Sequence, residues 1–486
     1  MGEWLERLRG GTLSRFLDHI WGLGASLPPP GADAPVISLI CKAPQRALLD
    51  SLADQASEHL QLVPENRRTG GWTATLRGDE RLAPHSAAVL SAALGAHPHA
   101  SRAYTDTLYL DAQGDPLRLD LKPAYDPILQ AARPYAHALA LHRIGAEPGG
   151  PVLHIPYPAL ILPNCSASDA PTPPNPALRS HGLPNPYTAN PARPVPAARG
   201  LPRVSVVIPS RDAPGLIRRV LAGLFETTDY PDLEVIVSDN GSSDPETLAE
   251  YARRHAQGLR VIRHEAPFNF AAQVNRGVAA ARGDALLLLN NDIVIREPGW
   301  LQAMVACLAL ETVGIVGARL LFPDGSLQHA GVILGLGGGY AGHWYAGRPA
   351  ETAGPLERLH HTGRVSAVTA ACMLVSRHAW DALGGMDAET FGVAYNDVDF
   401  CLRATAYGIA TVWTPQATLV HHESATRRLV SAADRARFRA EKAALRARHA
   451  TDRVLDPALS PWLSRARVPR WQRLATLPAP QLGWQG

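Results

Sequence analysis

The 486-residue sequence lacks several features that would assign it to common protein classes. Its five cysteines form no CxxC pair, which excludes a zinc ribbon and a disulfide framework and favours a reducing compartment. No apolar run approaches the roughly 20 residues needed to span a bilayer, and the first residues lack the unbroken apolar segment of a signal peptide. The sequence therefore predicts a cytoplasmic protein that does not cross a membrane.

Two phosphate-binding motifs and a nucleic-acid signature are also missing. No GxGxxG follows the early strands of the second half, and no GxxxxGK[ST] is present, which argues against dinucleotide and P-loop folds. From Arg427 onward the chain contains thirteen Lys/Arg and four Asp/Glu, which gives this segment a net charge of +9, compared with +3 for the whole chain. This basic end is open to three interpretations: a solvated helix face, attraction to anionic lipid, or a nucleic-acid patch. No aromatic residues alternate with the arginines, so we expect no nucleic-acid partner.

Proline content divides the chain. Eleven prolines fall between Pro163 and Pro202, with little apolar periodicity, and predict a semi-extended linker over 163–202. This linker separates a first domain, 35–162, from a second, 203–428. A helical segment over 1–34 and a basic helical tail over 429–486 complete the predicted organisation.

The second domain alternates strand and helix patterns. Apolar, β-branched runs at 203–208, 233–237 and 284–289 predict strands, and helical spacing appears at 216–225 and 269–282. This alternation is typical of an α/β fold with a doubly wound sheet, in which ligands collect at the carboxyl ends of the strands.

Polar residues follow two of these strands. Asp239 ends the second strand, where its carboxylate either accepts a hydrogen bond from a nucleotide base or caps the turn. Asn290, Asn291 and Asp292 follow four leucines, where they either close the strand in an Asx turn or help to hold a divalent cation that bridges a diphosphate.

Two later positions also carry candidate chemistry. Asp397 lies at the first turn of a predicted helix, where it serves either as a general base or as a helix cap. His421 and His422 follow an apolar strand, so that one of them can face the cleft, although a single histidine is more often structural.

Seven segments, taken in order and spacing over some 220 residues, resemble family-2 glycosyltransferases with the GT-A fold. They are VVIPSRD, VSDNGSSD, NFAAQVNRG, LLLLNNDIV, AVTAACMLV, GGMDAETFGVAYNDVDFCLR and LVHHESATR. Within the family they are similar to bacterial enzymes that build cell-surface polysaccharide, including O-antigen and rhamnose-containing chains. The resemblance implies a GT-A catalytic domain with a mostly parallel sheet and helices on both faces.

The resemblance also implies roles for individual residues. The family's base-contacting aspartate maps to Asp239, and its D-x-D metal motif maps to NND, with Asp292 as the main ligand. Its metal-binding histidine maps to His421, with His422 as the alternative, and its general base maps to Asp397. The full set comprises donor-binding Pro209, Ser210, Asp212, Asp239, Asn275 and Asn291; metal-binding Asn290, Asp292 and His421; catalytic Asp397; and acceptor-region Asn396 and Trp344.

The first domain resembles a second, truncated copy of the same family. In this alignment Arg77 and Asp79 stand at the two metal-aspartate positions, and the segment that would carry the general base is deleted. We therefore expect the first domain to pack against the catalytic domain or to position the acceptor.

These expectations combine into one reaction. The resemblance implies inverting transfer of a sugar from a nucleoside-diphosphate sugar to a hydroxyl of a saccharide or lipid-linked saccharide, assisted by Mn²⁺ or Mg²⁺. The basic tail and the absence of a spanning segment predict a cytoplasmic protein with peripheral attachment to the inner face of the membrane through that tail. The alternative is a non-catalytic nucleotide-sugar-binding or scaffold protein, which would bind the donor without turning it over.

Overall fold

The structure, a computed structural model, describes residues 12–55, 57–64, 71–137, 139–147, 149–165, 201–422 and 431–484. Most of the predicted linker, residues 166–200, lies outside these ranges, as do residues 423–430 at the end of the predicted catalytic domain. The described residues form two α/β units, each built on its own large sheet, and the predicted α/β fold class is confirmed.

The first unit alternates short strands and helices. Its elements are α1 (Thr12–Ala25), β1 (Ile37–Ile40), α2 (Arg46–Ala53), β2 (Leu60–Val63), β3 (Trp72–Thr75), β4 (Arg81–Leu82), α3 (Ser86–Ala96), β5 (Arg102–Leu110), β6 (Pro116–Asp120), α4 (Pro127–Ala132), β7 (Leu141–Arg143) and β8 (Val152–Leu162).

The second unit contains longer elements. They are β9 (Val204–Ser210), α5 (Pro214–Ala222), a π-helical turn (Gly223–Thr227), β10 (Leu233–Asn240), α6 (Pro245–His255), β11 (Arg260–His264), α7 (Phe270–Ala279), β12 (Ala285–Leu289), β13 (Ile293–Val294), α8 (Trp300–Leu308), β14 (Val313–Leu321), β15 (Leu327–His329), β16 (Val332–Leu334), a glycine-rich turn (Leu336–Gly339), β17 (Ala341–His343), a 3₁₀ helix (Pro355–His360), β18 (Gly363–Arg364), β19 (Cys372–Ser376), α9 (Arg377–Leu383), α10 (Asn396–Ala406) and β20 (Ala410–His421). Helix α11 (Ala432–His449) and strand β21 (Gln481–Leu482) follow.

The sheet of the second unit is nearly parallel, with the order β11-β10-β9-β12-β19-β14-β20-β13. Among its long strands only β19 runs against its neighbours, so the carboxyl ends of β9, β10, β12 and β20 meet at one edge. The central strands are apolar throughout, and Leu286, Leu287, Leu288 and Leu289 are fully buried, which fixes β12 in the middle of the sheet.

Capping residues set where the helices of this unit begin. Asp244 accepts a hydrogen bond from the Thr247 N–H, and Pro245 occupies the first position of α6, which needs no N–H donor. Asn269 caps α7 in the same way through the Ala272 N–H. Each helix therefore starts directly after the polar loop that ends the preceding strand, at the ligand-binding edge.

The first unit repeats the strand order of the second. Its order β2-β1-β3-β7-β5-β8 corresponds to β10-β9-β12-β19-β14-β20, and the two-residue strands β4 and β13 pair with β8 and β20 in the same antiparallel sense. Only eight residues join β7 to β8, too few for the helices α9 and α10 that connect β19 to β20. The first unit therefore omits the segment that carries Asp397 in the second.

The pairing of these short strands corrects the predicted alignment of the metal loop. The first residue of β4 pairs with Ile161 of β8, as the first residue of β13 pairs with His421 of β20, so Ile161 corresponds to His421. The residue directly before β4 is Glu80, so Glu80, not Asp79, corresponds to Asp292. Glu80 is buried and accepts hydrogen bonds from two N–H groups of its own loop. The first unit therefore uses this acid to close the loop, opposite an aliphatic side chain.

The C-terminal residues are more than a basic helical tail. The helix ends at His449, and the following residues bury apolar side chains, including the fully buried Trp462, whose indole N–H donates to the Pro156 carbonyl 2.8 Å away. Strand β21 then pairs antiparallel with β8 of the first unit. Within the described ranges, no helix is long and apolar enough to cross a membrane.

Candidate active site

Asp239 and Ser210 lie side by side at the ends of β10 and β9. The Asp239 carboxylate is fully buried and accepts hydrogen bonds from the Ser242 N–H (3.0 Å), the Ser242 hydroxyl and the Tyr251 hydroxyl (3.2 Å). Burial, together with the Asp239 charge, raises the pKa of Tyr251, so this phenol remains a hydrogen-bond donor. Asp239 therefore does close the turn, and its buried negative charge lies at the ligand-binding edge of the sheet.

Asp212 joins the loop after β9 to the loop after β10. Its carboxylate accepts hydrogen bonds from the N–H groups of Ser243 (2.8 Å) and Asp244 (2.9 Å), and these bonds lower its pKa. In return, its own N–H donates to the Ser242 hydroxyl at 2.7 Å. Pro209, the next-to-last residue of β9, is partly exposed at the same rim. The predicted donor-binding loops therefore form one connected wall.

The three predicted metal-binding residues are brought together. Strand β13 aligns with the end of β20, so that the His421 Nε2 lies 2.9 Å from the Asp292 Oδ1 and 3.4 Å from the Asn290 amide nitrogen. Both Asp292 and His421 are buried. His422 contributes only its backbone N–H, which donates to the Asp292 carbonyl at 3.0 Å. Of the two candidate histidines, His421 is the one whose ring faces the carboxylate.

Asn291 connects these three residues to the loop after β9. Its amide donates to the Ser210 hydroxyl at 3.1 Å, and Ser210 is the strand neighbour of Asp239. The ends of β9, β10 and β12 are therefore connected, by the pairing of β9 with β10 and by the hydrogen bond between Asn291 and Ser210.

Sequence reasoning missed the residue behind His421. The His421 Nδ1 lies 2.6 Å from the Gln328 Oε1, and the Gln328 amide nitrogen donates to the His421 carbonyl at 3.3 Å. Gln328 is buried in β15. The next residue, His329, lies with its Nδ1 2.8 Å from that of His343, and burial together with the neighbouring rings holds the pKa of His329 far below its usual value. The adjacent Gln328 and His329 can be recognised in the sequence as a pair of polar residues. The sequence does not indicate that Gln328 contacts His421, 93 residues away.

Asp397 lies at the start of α10 and is partly exposed. Its Oδ2 accepts a hydrogen bond from the Ala370 N–H (3.1 Å) and its Oδ1 from the Val398 N–H (2.8 Å). The Ala371 carbonyl accepts a hydrogen bond from the Asn290 N–H at 3.0 Å. The turn that contains Ala370 and Ala371 therefore contacts both Asp397 and Asn290. Among the residues that the structure describes, Asp397 forms no ion pair.

Asp399 has a different environment. It is fully buried and bonds Arg403 (2.8 Å), Arg448 (2.9 Å) and His449 (2.8 Å). Burial alone would raise the pKa of Asp399, but the hydrogen bonds from His449 and the two arginines outweigh it and lower the pKa. Asp399 therefore anchors α10 to α11 through Arg403, Arg448 and His449.

The loop that precedes Asp397 is held from two sides. Glu441 of α11 is buried and accepts hydrogen bonds from the N–H groups of Val393 (3.0 Å) and Ala394 (2.8 Å). From α7, Asn275 uses both ends of its amide on the backbone of Met386, at 2.8 and 3.0 Å. Asn275 was predicted to bind the donor, but its hydrogen-bonding groups are occupied in fixing this loop.

The two predicted acceptor-region residues are both buried. Trp344 is 1% exposed, and the guanidinium of Arg358 lies 5.9 Å from its ring centroid, so Trp344 packs in the core and offers no ring face to a saccharide. Asn396 is 3% exposed, and its Nδ2 finds no hydrogen-bond partner within the described part of the chain. The Trp344 indole nitrogen likewise has no hydrogen-bond partner in the described residues, and what distinguishes Asn396 is its place directly beside Asp397.

Comparison with known proteins matches the same stretch of chain. Residues 202–443 match the family model described as "Glycosyltransferase like family 2". The O-antigen biosynthesis protein RfbC of Myxococcus xanthus is 32% identical over 400 residues, covering 74% of this chain and 31% of that protein. The N-acetylglucosaminyl-diphospho-decaprenol L-rhamnosyltransferase of Mycobacterium tuberculosis is 29% identical over 225 residues, covering 43% of this chain and 72% of the enzyme. The chain thus spans less than a third of the length of RfbC.

A solved structure is similar at lower identity. The mannosyltransferase PcManGT of Pyrobaculum calidifontis, in complex with GDP-Man and Mn²⁺, shares 20% identity and gives a TM-score of 0.39. The alignment covers 54% of this chain and 68% of that one.

Proposed function

Because this chain belongs to glycosyltransferase family 2 through its residues 202–443, we propose that it transfers a sugar from a nucleoside-diphosphate sugar to a hydroxyl of a saccharide acceptor. The observation that carries this proposal is one continuous set of contacts. Asp239 pairs with Ser210 across adjacent strands, and Ser210 accepts a hydrogen bond from Asn291 of the NND triplet. Asn290 of the same triplet donates its N–H to the Ala371 carbonyl, in the turn whose Ala370 N–H donates to Asp397. The residues to which we assign donor binding, metal binding and proton transfer thus lie at one sheet edge.

We assign the proton transfer to Asp397. It takes the proton from the acceptor hydroxyl, whose oxygen attacks the anomeric carbon while the bond to the diphosphate oxygen breaks and its electron pair leaves with the diphosphate. Attack opposite the leaving group inverts the anomeric configuration. Asp397 suits this role because, within the described residues, its carboxylate meets two backbone N–H groups, whereas the neighbouring Asp399 is committed to Arg403, Arg448 and His449.

The residues at the end of β12 fit a divalent cation. Apart from the His421 ring at 2.9 Å, the Asp292 Oδ1 has no hydrogen-bond partner in the described residues, although it is buried. Carboxylate oxygen, imidazole nitrogen and the Asn290 amide make up a donor set suited to Mn²⁺ or Mg²⁺ completed by diphosphate oxygens and water. When bound, such a cation offsets the charge that grows on the departing diphosphate.

The acceptor and the location are further parts of the proposal. The mycobacterial relative is named for a decaprenol-linked acceptor, which supports a lipid-linked saccharide as substrate here. Helix α11 exposes Arg435, Arg437, Arg439 and Arg446, and such residues near an anionic surface contribute about 1 kcal/mol each. We infer that the protein works in the cytoplasm, attached peripherally to the inner face of the membrane.

The decisive experiment is a donor screen. The purified protein is mixed with UDP-, dTDP- and GDP-sugars, Mn²⁺ and a lipid-linked saccharide extract, and release of nucleoside diphosphate is measured. Turnover that requires both donor and acceptor supports the transferase. Tight donor binding without release under any combination supports the alternative of a non-catalytic nucleotide-sugar-binding protein.

A further inference from the structure

We propose that Gln328 is a positioning residue that determines which ring nitrogen of His421 faces Asp292. The inference deepens the proposed function, because it concerns how the chain prepares the metal ligand of that same site. It is carried by the two contacts that the Gln328 amide makes with one residue: its oxygen with the His421 ring and its nitrogen with the His421 carbonyl.

The backbone fixes the orientation of the amide. The His421 carbonyl can only accept a hydrogen bond, so the side-chain group 3.3 Å from it must be the NH₂ of Gln328. The amide oxygen is then the atom that lies 2.6 Å from the His421 Nδ1. A reversed amide would set two acceptors against each other at the carbonyl.

The amide orientation in turn fixes the tautomer. An amide oxygen only accepts, so the Nδ1 must carry the proton, and the neutral ring then has its lone pair on Nε2. In this tautomer the Nε2 lone pair would point at the Asp292 Oδ1, which lies 2.9 Å from Nε2. A lone pair and a carboxylate oxygen repel each other unless a positive charge lies with them. Gln328 thereby directs two electron-rich atoms toward a common cation.

Strand topology holds Gln328 in place. Strand β15 pairs with β14, and β14 pairs with β20, which ends at His421. The pairing is irregular at this point, because Leu320 pairs with His329 and Leu321 with Leu327, so that Gln328 is an extra residue between the two pairs. The next residue, His329, makes its contact with His343. Both Gln328 and His421 are buried, so water does not compete for their hydrogen bond.

The expected effect is on cation affinity. Partners that orient a metal-binding histidine are typically worth 10- to 100-fold in affinity or activity. Gln328→Leu retains similar volume but has no acceptor, so Mn²⁺ affinity in the presence of nucleoside diphosphate should fall about 10- to 100-fold. Gln328→Glu retains an acceptor at Nδ1 and should lose clearly less.

The measurement uses the full chain and Mn²⁺ itself. Free Mn²⁺ is followed by electron paramagnetic resonance during titration, with UDP, GDP and dTDP each tested as the accompanying diphosphate. His421→Ala sets the loss caused by removing the ligand. Gln416→Ala is the matched control, because Gln416 is an exposed glutamine of β20, the strand that His421 ends.

The outcomes separate the inference from the proposed function. A graded order, with wild type and Gln416→Ala tightest, then Gln328→Glu, then Gln328→Leu, supports it. Wild-type affinity in a folded Gln328→Leu protein overturns it, as does an equal loss in both Gln328 variants. If the wild type itself binds no Mn²⁺ with any diphosphate, the metal part of the proposed function fails, and a second measurement decides on Gln328.

That second measurement reads the tautomer directly and needs no Gln328 variant. Long-range ¹H–¹⁵N spectra of metal-free protein labelled in histidine, with His421 assigned from the spectrum of His421→Ala, distinguish the two tautomers. A proton on Nδ1 supports the inference, even if Gln328→Leu fails to fold. A proton on Nε2 in the neutral ring refutes it.

Discussion

The two aspartates on either side of Val398 should separate chemistry from stability. In Asp397→Asn the amide oxygen can still accept the hydrogen bond from the Ala370 N–H, but the side chain can no longer take a proton. Turnover should therefore fall by roughly 10²- to 10⁴-fold, equivalent to about 2.7 to 5.5 kcal/mol in the barrier. Loss of the negative charge at the start of α10 should cost only about 0.3 to 1 kcal/mol of stability.

Asp399→Asn should show the opposite pattern. The wild-type carboxylate accepts three charge-assisted hydrogen bonds, and removing one partner from a buried charge pair typically costs 3 to 5 kcal/mol. Here the side chains of Arg403, Arg448 and His449 are 24%, 37% and 14% exposed, so they recover part of their hydration when the carboxylate is lost. We therefore expect the free energy of unfolding to fall by about 2 to 4 kcal/mol.

The pH dependence gives an internal check. Because the folded-state pKa of Asp399 is lowered, its stabilising contribution is fully present above the unfolded pKa of about 3.9 and is lost as pH falls through the folded value. The stability difference between wild type and Asp399→Asn should therefore be constant near neutral pH and shrink in acid. Nucleoside-diphosphate release measures turnover, and urea denaturation measures stability. Wild-type turnover in Asp397→Asn on a verified acceptor, or a fully stable but inactive Asp399→Asn, would refute the assignment.

Three further predictions concern the donor, the metal and the membrane. Asp239→Ala should weaken donor binding by about 1.5 to 3 kcal/mol in calorimetry. Tyr251→Phe removes one hydrogen bond to the same carboxylate and should change donor binding little. Equal losses in the two variants would show that Asp239 affects donor binding only by closing the turn. Excess EDTA should abolish turnover and Mn²⁺ should restore it, while full activity in chelator would remove Asp292 and His421 from their proposed roles. Binding to vesicles containing anionic lipid should be strong at low salt and reversed by about 0.5 M salt, and equal binding to neutral vesicles would contradict an electrostatic attachment through α11.

The strand-end residues could be predicted because local sequence alone determines them. Four leucines followed by NND specify a buried strand and the polar loop after it, and the parallel order of the sheet then brings that loop to Ser210 and His421. The choice between His421 and His422 could not be made in this way. It depends on the register between β13 and β20, which is set by pairing across more than 120 residues.

The contacts that the sequence did not predict join residues that are distant in sequence. Gln328 meets His421, Glu441 meets Val393, and Asn275 meets Met386 only after the helices and strands have packed. The family resemblance implies acceptor contact for Trp344, yet its side chain is 1% exposed and packs in the core.

The pairing of β21 with β8 has a mechanical consequence. The chain leaves the first unit at Cys165, builds the second, and then returns to add a strand to the first sheet. Residues 166–200 and the segment with Trp462 and β21 both join the two units, in addition to direct contacts such as the hydrogen bond from the Arg364 N–H to Asp126. A pull on the C-terminus would load the β8 edge before it loaded the second sheet. The proline-rich stretch therefore separates the two units in the sequence, but residues that follow the second unit pack against the first.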